Sequence, residues 1–198
     1  MNLIQIAGIA IVLIVIAVMG GMIFVSMDIM SHLATGNETL SPAGTPTGRA
    51  LVVYDPGVSG AAKSAAVQIA RNLQSKGYTI DLAGVNSESA GNTYGYDVIA
   101  VGGPTYGGVP SRSITAFLKA LKPTDDAKVG VFATGGFTWN RTAPWYEQDK
   151  ISITEGVSGI WEDSSLSNPV AIEVIRGDKV DRDSSDFVAA MLREEKST

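Results

Sequence analysis

Three short segments hold the residues that could do chemistry, and each directly follows an apolar run. The first, 55–63, reads Asp-Pro-Gly-Val-Ser-Gly-Ala-Ala-Lys and leads into a helical pattern. Free backbone N–H groups at a helix start, with the hydroxyl of Ser59 and the charge of Lys63, suit an anion such as a phosphate. The spacing is neither that of a Walker loop nor that of a G-x-G-x-x-G dinucleotide turn. The second segment, 102–111, sets Tyr106 among four glycines and two prolines. Glycines permit close approach of backbone to a ligand, and a lone ring among them is presented to something planar. The third, 134–140, reads Thr-Gly-Gly-Phe-Thr-Trp-Asn. Its backbone N–H groups could meet the polar edge of a planar ring, with Phe137 and Trp139 as shields. Each segment also has a plainer reading: an ordinary strand–helix turn, a surface loop whose tyrosine fills a gap, and rings packed against the irregular region beyond. For Trp145 and Tyr146 the packing role is the favoured one.

The rest of the composition narrows the chemistry. The 198 residues include no Cys and one His. Disulfides, thiolate nucleophiles and cysteine-bound clusters are excluded within this chain, and Ser–His catalysis and His-rich metal sites lose most of their support. Redox chemistry would have to come from a bound organic cofactor, and no side chain is expected to act as a catalytic acid or base. All 15 basic and 18 of the 20 acidic residues follow Gly48, which leaves 49–198 at a net charge of −3. That mildly acidic balance offers no basic stripe for nucleic acid. No nucleic-acid partner and no metal are expected.

The elements that must position these segments alternate. Apolar, β-branched runs at 50–54, 78–82, 97–102, 128–133 and 169–175 read as strands one to five. Helical spacing occupies 62–76, closed by Gly77, then 111–121, stopped by Pro123, and 184–195, capped by Asp183 or Ser184. The weakest pattern lies between 137 and 168, with a helix conceivable within 142–159. Alternation over about 150 residues predicts an α/β domain with a doubly wound parallel sheet. Ligands of such sheets bind beyond the carboxyl ends of the strands, where strand order reverses, and that is where all three segments fall.

The N-terminus is a different material. From Leu3 to Val25 there is no charge, and Ile, Val, Leu, Ala, Met and Gly dominate. About 20 apolar residues span a bilayer as a helix. A signal peptide wants a basic start and a shorter apolar run, so 3–25 reads as a retained transmembrane helix. The stretch 26–48, rich in Ser, Thr, Gly and Pro in its second half, reads as a flexible linker, and 49–198 as the domain. Flanking charges give almost no vote on orientation.

Three stretches carry a family resemblance: 52–60 with Lys63 and its helix, the run DVIAVGGPTYGGVPSRSITAFL at 97–118, and KVGVFATGG at 128–136. Together they resemble the flavodoxins and flavodoxin-like quinone reductases over about 50–195. The resemblance implies a flavodoxin-like five-stranded parallel sheet of order 2-1-3-4-5 and non-covalently bound FMN. Carried over by position, Ser59, Gly60, Ala61 and Ala62 would wrap the phosphate, aided by Lys63. Pro104, Thr105, Tyr106 and Gly107 would flank the isoalloxazine, and Thr134, Gly135 and Gly136 would lie along its pyrimidine edge. The chain departs from the family's hydroxyl-rich phosphate loop at Pro56 and Ala62, and only Ser59 keeps a matching hydroxyl. The implied function is that of a membrane-anchored electron-transfer flavoprotein working between a reductase and an acceptor protein or quinone-type carrier. An NAD(P)H:quinone reductase is a variant of that reading. The alternative is a flavin-free flavodoxin scaffold serving as a membrane-anchored docking or assembly subunit. A flavoprotein fed by cytosolic donors is expected as a single-pass cell-membrane protein with its domain in the cytoplasm.

Overall fold

The computed structural model describes residues 3–106, 109–135, 154–157 and 169–193; in the N-terminal helix the side chains of 5, 6, 8–20 and 22 are described, and of Tyr106 only the backbone. The elements are α1 (Leu3–His32), β1 (Asn37–Leu40), β2 (Gly48–Tyr54), α2 (Ala61–Ser75), β3 (Tyr78–Gly84), a 3₁₀ turn (Ser89–Gly91), β4 (Val98–Tyr106), β5 (Val109–Pro110), α3 (Arg112–Ala120), β6 (Lys128–Thr134), β7 (Ala171–Val174) and α4 (Val180–Leu192). A further helical turn occupies 154–157.

Period-two burial explains the sheet. Leu51, Val53, Ile99, Val101 and Val131 point to one face, where Ile114 and Leu118 of α3 cover them. Ala50, Val52, Val98, Ala100 and Phe132 point to the other, under Ile69 and Leu73 of α2 and Phe187, Val188 and Met191 of α4. Strands covered on both faces must be apolar at nearly every position, as these are. Phe132 and Phe187 meet edge to face with centroids 6.1 Å apart. The fold is therefore α/β and doubly wound.

The sheet differs from expectation in strand count and order. Among the described residues it has seven strands, in the order β1-β3-β2-β4-β6-β7, with β5 paired to β4. The five parallel strands stand as β3-β2-β4-β6-β7; β1 adds antiparallel outside β3, and β5 folds back antiparallel on β4. The sequence Asn-Glu-Thr-Leu of β1 is polar and mostly exposed, so it carries no apolar alternation to read. It forms because the outer edge of β3 presents unpaired N–H and C=O groups that need partners. The expected linker thus contains a docked strand. Pro104, Thr105 and Tyr106, expected in a loop, are the last residues of a lengthened β4, with Thr105 opposite Pro110 and Tyr106 opposite Val109.

The last helix also starts earlier than expected, at Val180 with Lys179 as N-cap, so neither Asp183 nor Ser184 caps it. Asp183 instead holds the preceding loop. Its carboxylate accepts from Arg176 Nε at 2.9 Å, from an Arg176 terminal nitrogen at 3.0 Å and from the Arg176 backbone N–H at 3.2 Å. Burial opposes its ionisation, but these bonds outweigh burial and hold the carboxyl below the usual carboxylate range.

At the amino end of the parallel strands a second polar cluster fastens β1, β2 and β3 to the segment entering β4. Asp81 accepts from Thr39 Oγ1 and Tyr96 Oη, both at 2.7 Å, and from Arg49 at 3.1 Å. The Arg49 guanidinium also lies 4.6 Å from the centroid of the Tyr96 ring. The Arg49 backbone N–H donates to Asp97 at 2.7 Å. Burial works against the Asp81 charge, yet the donors from Thr39, Tyr96 and Arg49 prevail and lower its pKa. Burial and the bond to Asp81 push Tyr96 up to about 12.

α1 runs for 30 residues. Among the described residues, however, no helix is long and apolar enough to cross a membrane. The transmembrane helix expected at 3–25 is therefore not established by the fold.

Candidate functional site

β2 and β4 are neighbours in the sheet, and the helices that follow them leave to opposite faces, α2 over one and α3 over the other. This divergence opens a crevice at the carboxyl edge. The two strands stay paired to its rim: Tyr54 lies opposite Gly102, and the Asp55 N–H donates to the Gly102 carbonyl at 3.0 Å.

At the rim the chain turns on a buried carboxylate. Asp55 is 1% exposed. Its Oδ1 accepts from the Gly57 N–H at 3.0 Å, and its Oδ2 takes a short hydrogen bond from Ser113 Oγ, which lies 3.1 Å from Ser111 Oγ. One side chain thus couples the first loop to the start of α3. The bond from the Ser111 N–H to the Pro104 carbonyl, 3.0 Å, closes the β4–β5 hairpin onto the same point. Asp55, Ser111 and Ser113 carry this architecture, and sequence reasoning assigned none of them a role. The one available signal was an Asp at a strand end followed by Pro-Gly, which favours an Asx-type turn.

The phosphate-loop candidates follow. Gly60 is the N-cap of α2 with φ +70°, a left-handed conformation that costs a side-chain-bearing residue about 1–2 kcal/mol. Ser59 Oγ accepts from the Ala61 N–H at 3.3 Å. The Ser64 N–H and Oγ both turn back to the Gly60 carbonyl. Among the described residues the N–H groups of Ala62 and Lys63 meet no acceptor. The Ala62 methyl is buried, so this residue offers only its N–H, whereas Lys63 is exposed on the first turn.

The other two segments close on the first. A Cβ on Gly57 would sit 2.9 Å from the Pro104 ring, and one on Gly135 would collide with Thr105 Oγ1. Pro104 lies opposite Thr134, which is buried. Ser59, Gly60, Ala61, Ala62, Lys63, Pro104, Thr105, Thr134 and Gly135 thus share one edge of the sheet, as does the backbone of Tyr106. The side chain of Tyr106, together with Gly107, Gly136, Phe137, Trp139, Trp145 and Tyr146, lies outside the described residues. Among the described residues no group of three or more His, Cys, Asp or Glu side chains could hold a metal ion.

The sequence matches no protein-family model and no curated protein. Solved structures do match. The chain is similar to an NADH:FMN oxidoreductase in its apo form, with 16% identity, a TM-score of 0.53, and coverage of 77% of this chain and 94% of that one. It is similar to a short-chain flavodoxin associated with a bacterial microcompartment, with 12% identity, a TM-score of 0.52 and coverage of 73% and 96%. It is also similar to oxidised flavodoxin 2 from Bacillus cereus, with 21% identity, a TM-score of 0.50 and coverage of 72% and 97%. At such identities the likeness speaks for the fold alone, and with the observed sheet it establishes that this chain has a flavodoxin-like α/β fold.

Proposed function

We propose that the protein is an FMN-binding redox protein that exchanges electrons with partner proteins or a quinone-type carrier at a membrane. One observation carries the reading: Gly57 after β2, Pro104 and Thr105 at the end of β4, and Gly135 after β6 come together at the switch between β2 and β4, with an anion-ready helix start on one side. The residues fit the cofactor's two ends. The N–H groups of Ala62 and Lys63, the left-handed turn at Gly60, the Ser59 hydroxyl and the Lys63 ammonium suit a phosphate. Pro104, Thr105 and Gly135 line the neighbouring rim, with Tyr106, Gly107, Thr134 and Gly136 completing the proposed ring site. Bound FMN would supply one- or two-electron redox chemistry. The chain's own part is to bind, orient and shield it, with Asp55 fixing the loop that meets the phosphate. An NAD(P)H:quinone reductase is the enzymatic form of this reading.

The anchor is part of the proposal. The 23 residues of 3–25 carry no charge. Ile6, Ile9, Ile11, Leu13, Ile14 and Met22 lie between 49% and 67% exposed on α1. Such a helix is stable in water only if something apolar covers it. We place it across the membrane, with 49–198 in the cytoplasm.

A flavin-free docking scaffold is the second reading, and the buried methyl of Ala62 with the hydroxyl-poor loop favours it. A visible spectrum of the purified full chain in detergent, followed by FMN titration, separates the two. No binding at high micromolar FMN sinks the redox reading and leaves the scaffold. Bleaching of bound flavin by NAD(P)H would identify a reductase. Protease protection in sealed vesicles tests the placement of the domain.

A further inference from the structure

The segment leaving α1 is not a loose tether. The Ala34 carbonyl accepts from the Asn86 N–H at 3.0 Å, and the Gly36 carbonyl from the Gly84 N–H at 2.8 Å. Ala34 is buried in the same core cluster as Val85 and Ala90. A Cβ on Gly84 would collide with the Ala34 backbone, so the two chains are in direct contact. From Asn37 onward β1 runs antiparallel along β3, starting opposite Ala83. The chain is therefore locked two residues after His32, and two residues reach at most about 7 Å.

The lock sits at a telling place. Ala83 and Gly84 end β3, Val85 and Asn86 follow it, and the Val85 N–H donates to the Tyr54 carbonyl at the crevice rim, 2.9 Å. The end of α1 is thus held beside the edge that carries the crevice, not the opposite edge, which is about 20 Å away along the strands. Residues 26–32 continue the helix and rise about 10 Å, enough to cross a headgroup region of about 5–8 Å. The exposed apolar side chains agree. Among the described residues outside α1 the exposed large ones are Leu33, Val58, Tyr94, Val109 and Val170, and Leu33, Val58 and Val109 all lie at the carboxyl edge.

We infer that Ala34 to Leu40 is a strut that turns the crevice edge toward the bilayer surface, with Leu33, Val58 and Val109 meeting the headgroup region. This deepens the proposed function and rests on its membrane anchor. The crevice would then be served from the membrane side, by a partner that presents itself at the bilayer surface.

The chain has no Cys, so single labels can be placed cleanly. The full chain is incorporated into phosphatidylcholine–phosphatidylglycerol vesicles carrying headgroup nitroxides. Val58→Cys and Val109→Cys report the crevice edge, and Tyr94→Cys and Asp126→Cys the opposite one. Stronger quenching at 58 and 109, lost when a Gly/Ser insert separates His32 from Leu33, is the expected result. Equal or reversed quenching on vesicle-bound protein overturns the orientation and leaves the anchor standing. A chain that does not float with the vesicles overturns the anchor, and the orientation with it.

Discussion

The two ends of the parallel strands are built from different materials. At the amino end, Arg49, Asp81, Tyr96, Asp97 and Thr39 form a dense network of charged and hydroxyl side chains. At the carboxyl end, the crevice between β2 and β4 is made of backbone, glycines and small side chains around one buried carboxylate, Asp55. In this network the side chains of Arg49, Asp81, Tyr96 and Thr39 bond to one another rather than facing a crevice. The carboxyl end leaves the N–H groups of Ala62 and Lys63 without a protein acceptor among the described residues, open to an anion at the helix start. Stability and binding should therefore be separable by mutation, with Asp55 as the place where they join.

Asp55→Ala should have the largest effect, because it removes the acceptor of both the buried Gly57 N–H and the Ser113 hydroxyl. A loss of about 2–4 kcal/mol in urea unfolding is expected for two hydrogen bonds to one buried carboxylate, together with at least a tenfold loss in FMN affinity. Stability lost with affinity intact would break the link between this carboxylate and the crevice. Asp81→Ala comes next, at about 2–3 kcal/mol for a charge accepting three hydrogen bonds. FMN affinity should not change, and a parallel loss of binding would erase the division between the two ends.

Acid should act on the same network. Asp81 is held below the usual carboxylate range. Its contribution is therefore fully present above the unfolded value, about 3.9, and is lost as pH falls through the folded value. Unfolding midpoints measured below about pH 4 should fall less steeply in Asp81→Asn than in the parent. An unchanged slope would assign the acid sensitivity elsewhere, Asp183 being the next candidate because its pKa is lowered in the same way. The smallest effect should come from Ser59→Ala: about a tenfold larger FMN dissociation constant, equivalent to roughly 1.4 kcal/mol, with about 0.5 kcal/mol of unfolding stability lost with the Ala61 N–H bond. The affinity is read by flavin fluorescence titration.

The parallel strands were legible because burial on both faces forces unbroken apolar runs, and α2 because Ala66, Ile69, Ala70 and Leu73 keep helical spacing. The meeting of Pro104, Thr105 and Gly135 was legible only as a consequence of strand order. β1 was not legible, since a polar strand made by the needs of its neighbour leaves no periodic trace. The start of α4 was missed because Asp183 looks like a cap in sequence, yet its carboxylate turns to Arg176 across the loop. Ser111 and Ser113 were passed over because a hydroxyl gains a role only through the carboxylate that folding sets beside it.

By itself the sequence determined the alternation of strands and helices, the absence of thiol chemistry, the uncharged N-terminal run and the three segments at strand ends. These follow from composition and local periodicity, which act within a few residues. The tertiary structure alone decided that Asp55 joins the first loop to α3, that Asp81 gathers donors from three segments of the chain, and that 34–40 docks along β3 and the residues just beyond it. Each depends on partners 15 or more residues apart, whose polar groups had to be satisfied once the core had formed.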